Sequence, residues 1–220
     1  MSLKLIVTKD GSHTIQGAGG VTYHSTFGAI QESMHIFINA GLRAIGDRDP
    51  IRIFELGFGT GLNALLTLLE AADKGRAVYY EAVETEPLAA DMAKELNYCS
   101  QLGRTGCESF FERLHGSSWE TPDILHPGFT FFKTRRPAQG YLLRQPADLV
   151  YYDAFDPATQ PELWTPEVLQ GLYGQLAPGA LLVTYCCKGA VQRALRSAGF
   201  AVEKLPGPPG KREILRARKP

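Results

Sequence analysis

Three glycines at alternate positions, directly behind a short apolar run, constrain this chain more than any other feature. Residues 51–63 read IRIFELGFGTGLN. Ile51, Ile53 and Phe54 suit a short buried strand, and Glu55 leads into Gly57, Gly59 and Gly61. Leu62, Ala64, Leu65, Leu66, Leu68 and Leu69 then predict a buried helix that opens at the last glycine. A strand, a tight turn and a helix N-terminus form a surface on which a nucleotide lies, because glycine lets the backbone approach the ligand closely.

The spacing selects the nucleotide. A dinucleotide fingerprint is G-x-G-x-x-G, and Leu62 stands where its third glycine would fall. Glu55 would also repel a pyrophosphate, whereas it suits a ligand with a cationic amino group and sugar hydroxyls. S-adenosylmethionine is such a ligand, and the stretch resembles the first motif of the class I methyltransferases. On that reading Glu55 sits under the methionine amino group, with Gly57, Phe58, Gly59, Gly61 and Asn63 around the cofactor. A second acid, Glu84, closes the strand expected over 77–83, about where nucleotide-binding α/β folds grip a ribose. Glu86 is explained instead by the helix that starts beside Pro87.

The chain's 220 residues suffice for one domain with a full core. Its 23 basic and 23 acidic residues balance, which excludes a polycation, but the tail is uneven: residues 188–220 hold nine Lys and Arg against Glu203 and Glu213. No apolar run is long enough to cross a bilayer and the opening residues lack a signal-peptide pattern, so a cytoplasmic protein without membrane partners is expected. Cys99, Cys107, Cys186 and Cys187 form no C-x-x-C pair; reduced, packed thiols and no metal are expected.

Residues 1–46 read as an extension, with a small hairpin over 4–8 and 13–16 and a helix from Ala29, followed by a domain over 47–220. Tyr23, Ser25 and Glu32 are polar groups around the entrance to that helix. Further strands are expected at 129–132, 147–152 and 180–184, with helices at 88–96, about 108–114, 166–176 and 190–198. Trp119 falls in a loop, and two alternating runs around GPPGK end the chain as an antiparallel hairpin. Strands alternating with helices predict an α/β fold, Rossmann-like, with a mostly parallel seven-stranded sheet closed by that hairpin and helices on both faces.

Four stretches, YHSTFGAIQES (23–33), FELGFGTGLN (54–63), YYDAFDPATQPELW (151–164) and GPPGKRE (207–213), resemble the methyltransferase domain of the MnmC-type tRNA-modifying enzymes. The resemblance implies a class I methyltransferase fold and methyl transfer from S-adenosylmethionine to 5-aminomethyl-(2-thio)uridine at the tRNA wobble position. The bifunctional members carry an FAD-dependent oxidase domain as well. The length here fits only the methyltransferase half and no second glycine fingerprint is present, so no FAD is expected and a separate FAD-dependent oxidase is the implied partner. Where the family tends to carry an acid after the third strand, this chain has Arg135, Arg136 and Pro137.

An alkylamine with a pKa near that of lysine, about 10, is protonated at neutral pH and lacks the lone pair needed for attack. Asp153, at the tip of the strand over 147–152, is assigned to orient the amine and relay its proton beside the cofactor, while Phe155, Trp164 and Tyr152 supply an apolar wall. Tyr23, Ser25 and Glu32 are candidates for substrate contact, and Lys211 and Arg212 for tRNA phosphate. Two rival functions use the same residues: methyl or aminopropyl transfer to a small free amine, and non-catalytic binding of RNA or a partner protein.

Overall fold

The computed structural model describes residues 3–220; of the extension expected over 1–46, residues 1 and 2 lie outside the described ones. An Asp10-Gly11 turn joins β1 (Lys4–Val7) to β2 (His13–Gln16) as a separate two-stranded antiparallel sheet. Asp10 fixes the turn by accepting from the Ser12 amide at 3.0 Å and the Gln31 amide at 3.0 Å, which ties the hairpin to the next helix. That helix, α1 (Ala29–Ser33), runs on into a π-helical stretch, Met34–Leu42. Ile36, Phe37 and Ile38 are all buried there. Gly41 lets the helix approach the main sheet, since a Cβ would stand 3.1 Å from Val183 and 3.3 Å from Tyr151.

The core then alternates: β3 (Ile51–Leu56), α2 (Leu62–Lys74), β4 (Val78–Val83), α3 (Ala90–Lys94), α4 (Tyr98–Leu102), α5 (Cys107–Gly116), β5 (Asp123–His126), β6 (Phe129–Thr134), β7 (Ala147–Tyr152), α6 (Pro166–Gly174), β8 (Leu176–Thr184), α7 (Gly189–Ser197), β9 (Ala201–Pro206) and β10 (Glu213–Arg218). One sheet holds eight strands in the order β5-β6-β4-β3-β7-β8-β10-β9. Strands β6, β4, β3, β7 and β8 are parallel; β10 enters antiparallel beside β8 and pairs with β9. The central strands are covered on both faces, which is why β7 reads ADLVYY with every residue buried.

Three expectations need correction. The sheet has eight strands rather than seven, because β5 pairs antiparallel with the edge of β6 across a turn at Gly128. Its sequence hides it: Ile124 is 66% exposed, so the apolar alternation is broken. The single helix expected over 88–96 is the short α3, with α4 beginning separately at Tyr98. Cys99 and Cys107 are not free thiols but a disulfide, their Cα atoms 5.3 Å apart where α4 meets the start of α5; Cys186 and Cys187 remain free.

At the end of β7 remote from its tip, Asp148 is fully buried and takes both guanidinium groups above it, Arg52 Nε at 2.9 Å and Arg48. Burial acts to raise the Asp148 pKa, but the bonds and charge of Arg52, assisted by Arg48, outweigh it and hold the carboxyl below its ordinary range.

Candidate active site

The carboxyl ends of β3, β4, β6 and β7 open onto one cleft of about 230 Å³. Residues 57–61 form its floor. The Gly57 and Phe58 amides bond the Val83 carbonyl at 3.1 and 3.2 Å, so the turn leans on the tip of β4. Gly57 has φ +91°, and a Cβ there would stand 3.2 Å from the Asp153 carbonyl oxygen. The turn therefore passes close against the tip of β7, an approach open only to glycine. Phe58 packs against Phe131 and His115 at the back.

Glu84 occupies the tip of β4. Its Oε2 accepts the Gly59 amide at 2.8 Å and its Oε1 the Glu86 amide at 2.9 Å. Glu55 is fully buried, beneath the wall rather than in it. It reaches the cleft through Asn63, whose amide nitrogen donates to Glu55 Oε1 at 3.0 Å and to Asp153 Oδ2 at 2.8 Å. Burial pushes the Glu55 pKa well up, opposed by the Asn63 bond and reinforced by the charge of Asp153. Asp153 itself is raised to about 7, first by burial and then by the charge of Glu32, against the Asn63 bond and the charge of Lys211.

Phe155 lines the cleft with Tyr23, their rings meeting edge to face at 5.1 Å. Trp164 and Tyr152, expected in the same wall, stand behind it. Trp164 is 6% exposed, donates its indole N–H to the Phe155 carbonyl at 2.8 Å and packs on Tyr152. Gly61 starts α2 in a left-handed conformation, beside Phe58 and His115.

Ser25 does not line the cleft: its amide donates to Glu32 Oε2 at 2.8 Å and its hydroxyl accepts the Phe27 amide at 3.2 Å. Glu32 is 7% exposed and pairs with Lys211 at 3.2 Å, so Lys211 turns inward. Arg212 is exposed on the hairpin turn.

Several wall residues, His24 among the polar groups at the helix entrance, were given no role by the sequence reading. His24 is buried with Nε2 2.8 Å from the Thr60 hydroxyl, and burial lowers its pKa, which keeps the ring neutral. Residues 136–139, on the stretch noted for lacking an acid, also line the cleft. Gln160 lines the mouth and accepts the Phe155 amide at 3.0 Å, so the PATQPELW segment holds Phe155 in place. Only the polar spacing of that segment signals this.

The site fits S-adenosylmethionine on its own geometry. Gly57 and Gly59 form a cradle that a Cβ would crowd, and Asn63 Oδ1 and Glu55 Oε2 are buried without a hydrogen-bond partner. A parallel sheet with an antiparallel last strand and an acid-tipped glycine turn has the layout of a nucleotide-binding α/β site, and the profile of a family described as S-adenosyl-L-methionine-dependent methyltransferases matches residues 139–220.

The tRNA 5-methylaminomethyl-2-thiouridine biosynthesis bifunctional protein MnmC of Aromatoleum aromaticum is 34% identical over 233 residues, which cover 98% of this chain and 35% of that protein. The protein of the same name from Pseudomonas paraeruginosa is 32% identical over 222 residues, 89% of this chain and 32% of that one. The crystal structure of MNMC2 from Aquifex aeolicus matches with a TM-score of 0.79 at 26% identity, covering 98% of this chain and 70% of that one. Nearly the whole of this chain is thus similar to part of the MnmC proteins and to MNMC2. It spans about a third of the length of the curated relatives it matches.

Among the described residues no cluster of His, Cys, Asp and Glu could hold a metal ion, and no helix is long and apolar enough to cross a membrane.

Proposed function

We propose that this protein methylates the primary amine of 5-aminomethyl-(2-thio)uridine at the wobble position of tRNA in the cytoplasm. The observation that carries the reading is Asp153: a carboxyl at the tip of β7, 2.8 Å from Asn63, with its pKa raised to about 7 in a cleft it shares with the glycine turn, Glu84 and Phe155. The names of the similar MnmC proteins supply the substrate class.

S-adenosylmethionine, when bound, supplies a methyl group activated by its sulfonium sulfur. Asn63, with Glu55 behind it, would hold the amino-acid end, and Glu84 the ribose, beside the Gly59 amide it already fixes. Residues 136–139 form the wall left for the adenine. Asp153 accepts a hydrogen bond from the acceptor amine and, with a pKa near neutrality, takes its proton and passes it to solvent. Phe155 and Tyr23 form an apolar edge beside the amine, which disfavours its charged form. Proximity and alignment of the amine supply most of the acceleration.

Residues 1–46 act as an extension that supplies Tyr23 and Glu32 to the domain over 47–220. A separate FAD-dependent oxidase, which removes a carboxymethyl group, would deliver the amine. The test is mass spectrometry of wobble nucleosides after undermodified tRNA is incubated with the protein and labelled cofactor. A methyl group on the aminomethyl nitrogen is the expected product. Equal turnover of the free nucleoside, or tRNA affinity that does not fall with salt, would overturn the tRNA assignment.

A further inference from the structure

Lys211 folds back from the turn between β9 and β10 toward α1 and the segment after β8, and its charge acts on Asp153. Its ammonium lies 3.2 Å from Glu32 Oε1 and 4.2 Å from the centre of the Tyr185 ring. The turn is locked there. Gly210 lies flat against Phe27, where a Cβ would collide with the ring, and His35 Nε2 donates to the Pro206 carbonyl at 2.8 Å. Tyr185 is fixed in turn by donating its hydroxyl proton to the Ala154 carbonyl at 2.8 Å, one residue beyond Asp153.

The charged and titratable groups around Lys211 come from four elements. They are Glu32 on α1, Asp153 and Asp156 after β7, Tyr185, Cys186 and Cys187 after β8, and Arg212 and Glu213 on its own hairpin. Asp156 is paired with Lys188, and Glu213 with Lys204 at 2.9 Å. Glu84 and Glu162 also line the cleft, but Glu32 and Asp153 are the two carboxyls whose charges meet that of Lys211. Alone, two carboxylates would stabilise the substrate as an unreactive ammonium. A fixed cation beside them acts in the opposite direction.

We propose that Lys211, held between Glu32 and Tyr185, is the fixed cation that keeps the acceptor amine in its neutral, nucleophilic form beside Asp153. This rests on the amine reading of the function. Lys211 itself is not consumed: a proton leaves the bound ammonium for solvent, and no other bond changes. The amine and Asp153 titrate as a pair, and Lys211 lowers the number of protons that the pair holds.

Calorimetry of an anticodon stem-loop carrying 5-aminomethyl-2-thiouridine, run at pH 7 without cofactor in two buffers of different ionisation enthalpy, counts protons exchanged on binding. Wild-type protein should release roughly one proton per RNA, since the free amine is charged. Lys211→Met should release far less. In single-turnover methylation its acid limb should move up by about one pH unit, a ~10-fold loss at neutral pH that is recovered in alkaline buffer. Lys211→Arg, which keeps the charge, should retain both properties.

If Lys211→Met kept the proton release and pH profile but bound RNA more weakly with a shallower salt dependence, the lysine would be a phosphate contact and the proposal overturned. A Lys211→Met protein equally slow at every pH would overturn it in favour of a structural role. Wild-type protein inactive on this RNA would overturn the function and, with it, this inference; wild-type activity with an unchanged variant would overturn the inference alone.

Discussion

Glu55 and Asp153 share one donor: the side-chain amide of Asn63 lies 3.0 Å from the first and 2.8 Å from the second. The bond favours the charged form of each acid, so it lowers both pKa values against the burial that raises them. Asn63→Leu keeps the volume and removes the donor. The apparent pKa on the acid side of the pH–rate profile should rise by roughly one unit, and denaturant unfolding should show a loss of about 1–3 kcal/mol.

Asp153→Asn should reduce methyl transfer by roughly 10²–10⁴-fold while calorimetric affinity for S-adenosylmethionine changes only a few fold. The same variant tests the pKa. An acid whose folded pKa is raised to about 7 contributes stability that is full below its unfolded value and lost as pH rises through 7. The Asn variant should therefore gain on the order of 4 kcal/mol over wild type at pH 8 and almost nothing at pH 4. A gain that is equal at both pH values would show that Asp153 is not buried against its charge.

Glu84 holds the amides of Gly59 and Glu86 as well as facing the cleft. Glu84→Ala should weaken cofactor binding by ~10–100-fold, the worth of one or two charge-assisted bonds. Unchanged affinity in a titration would transfer the ribose to another residue.

Asp148 is buried between Arg48 and Arg52, and its pKa is held low. Asp148→Ala leaves two guanidinium groups without their partner and should cost about 3–5 kcal/mol in urea unfolding. Because the folded pKa is depressed, this stability is present above the unfolded pKa of an aspartate and is lost as pH falls through the folded one. The wild-type advantage should therefore shrink in strong acid.

The fold was legible where chain period and burial agree. Gly57 and Gly61 marked a turn that only positive φ permits, and the unbroken apolar run before Asp153 marked a central strand. The alternation of strands with helices marked a mostly parallel sheet, but not the order of its strands. Side-chain direction was not legible. Glu55 lies under the cleft and Leu56 in its wall, a choice set by how β3 meets its neighbours. Trp164 carries a signature motif, yet its indole serves to hold the Phe155 carbonyl. Lys211 read as a candidate for tRNA phosphate, and its inward pairing was not legible because its partners, Glu32 and Tyr185, are far away in sequence. The strand β5 was missed because an edge strand with one solvent face and an exposed Ile124 carries almost no periodic signal.

The contact of Gly210 with Phe27 also has a bearing on biogenesis. Residues 27–35 and 206–211 are distant in the chain, yet each is held by the other: Gly210 against Phe27, the Pro206 carbonyl by His35, and Lys211 by Glu32. Assembly of the first stretch is therefore incomplete until the last hairpin has closed on it.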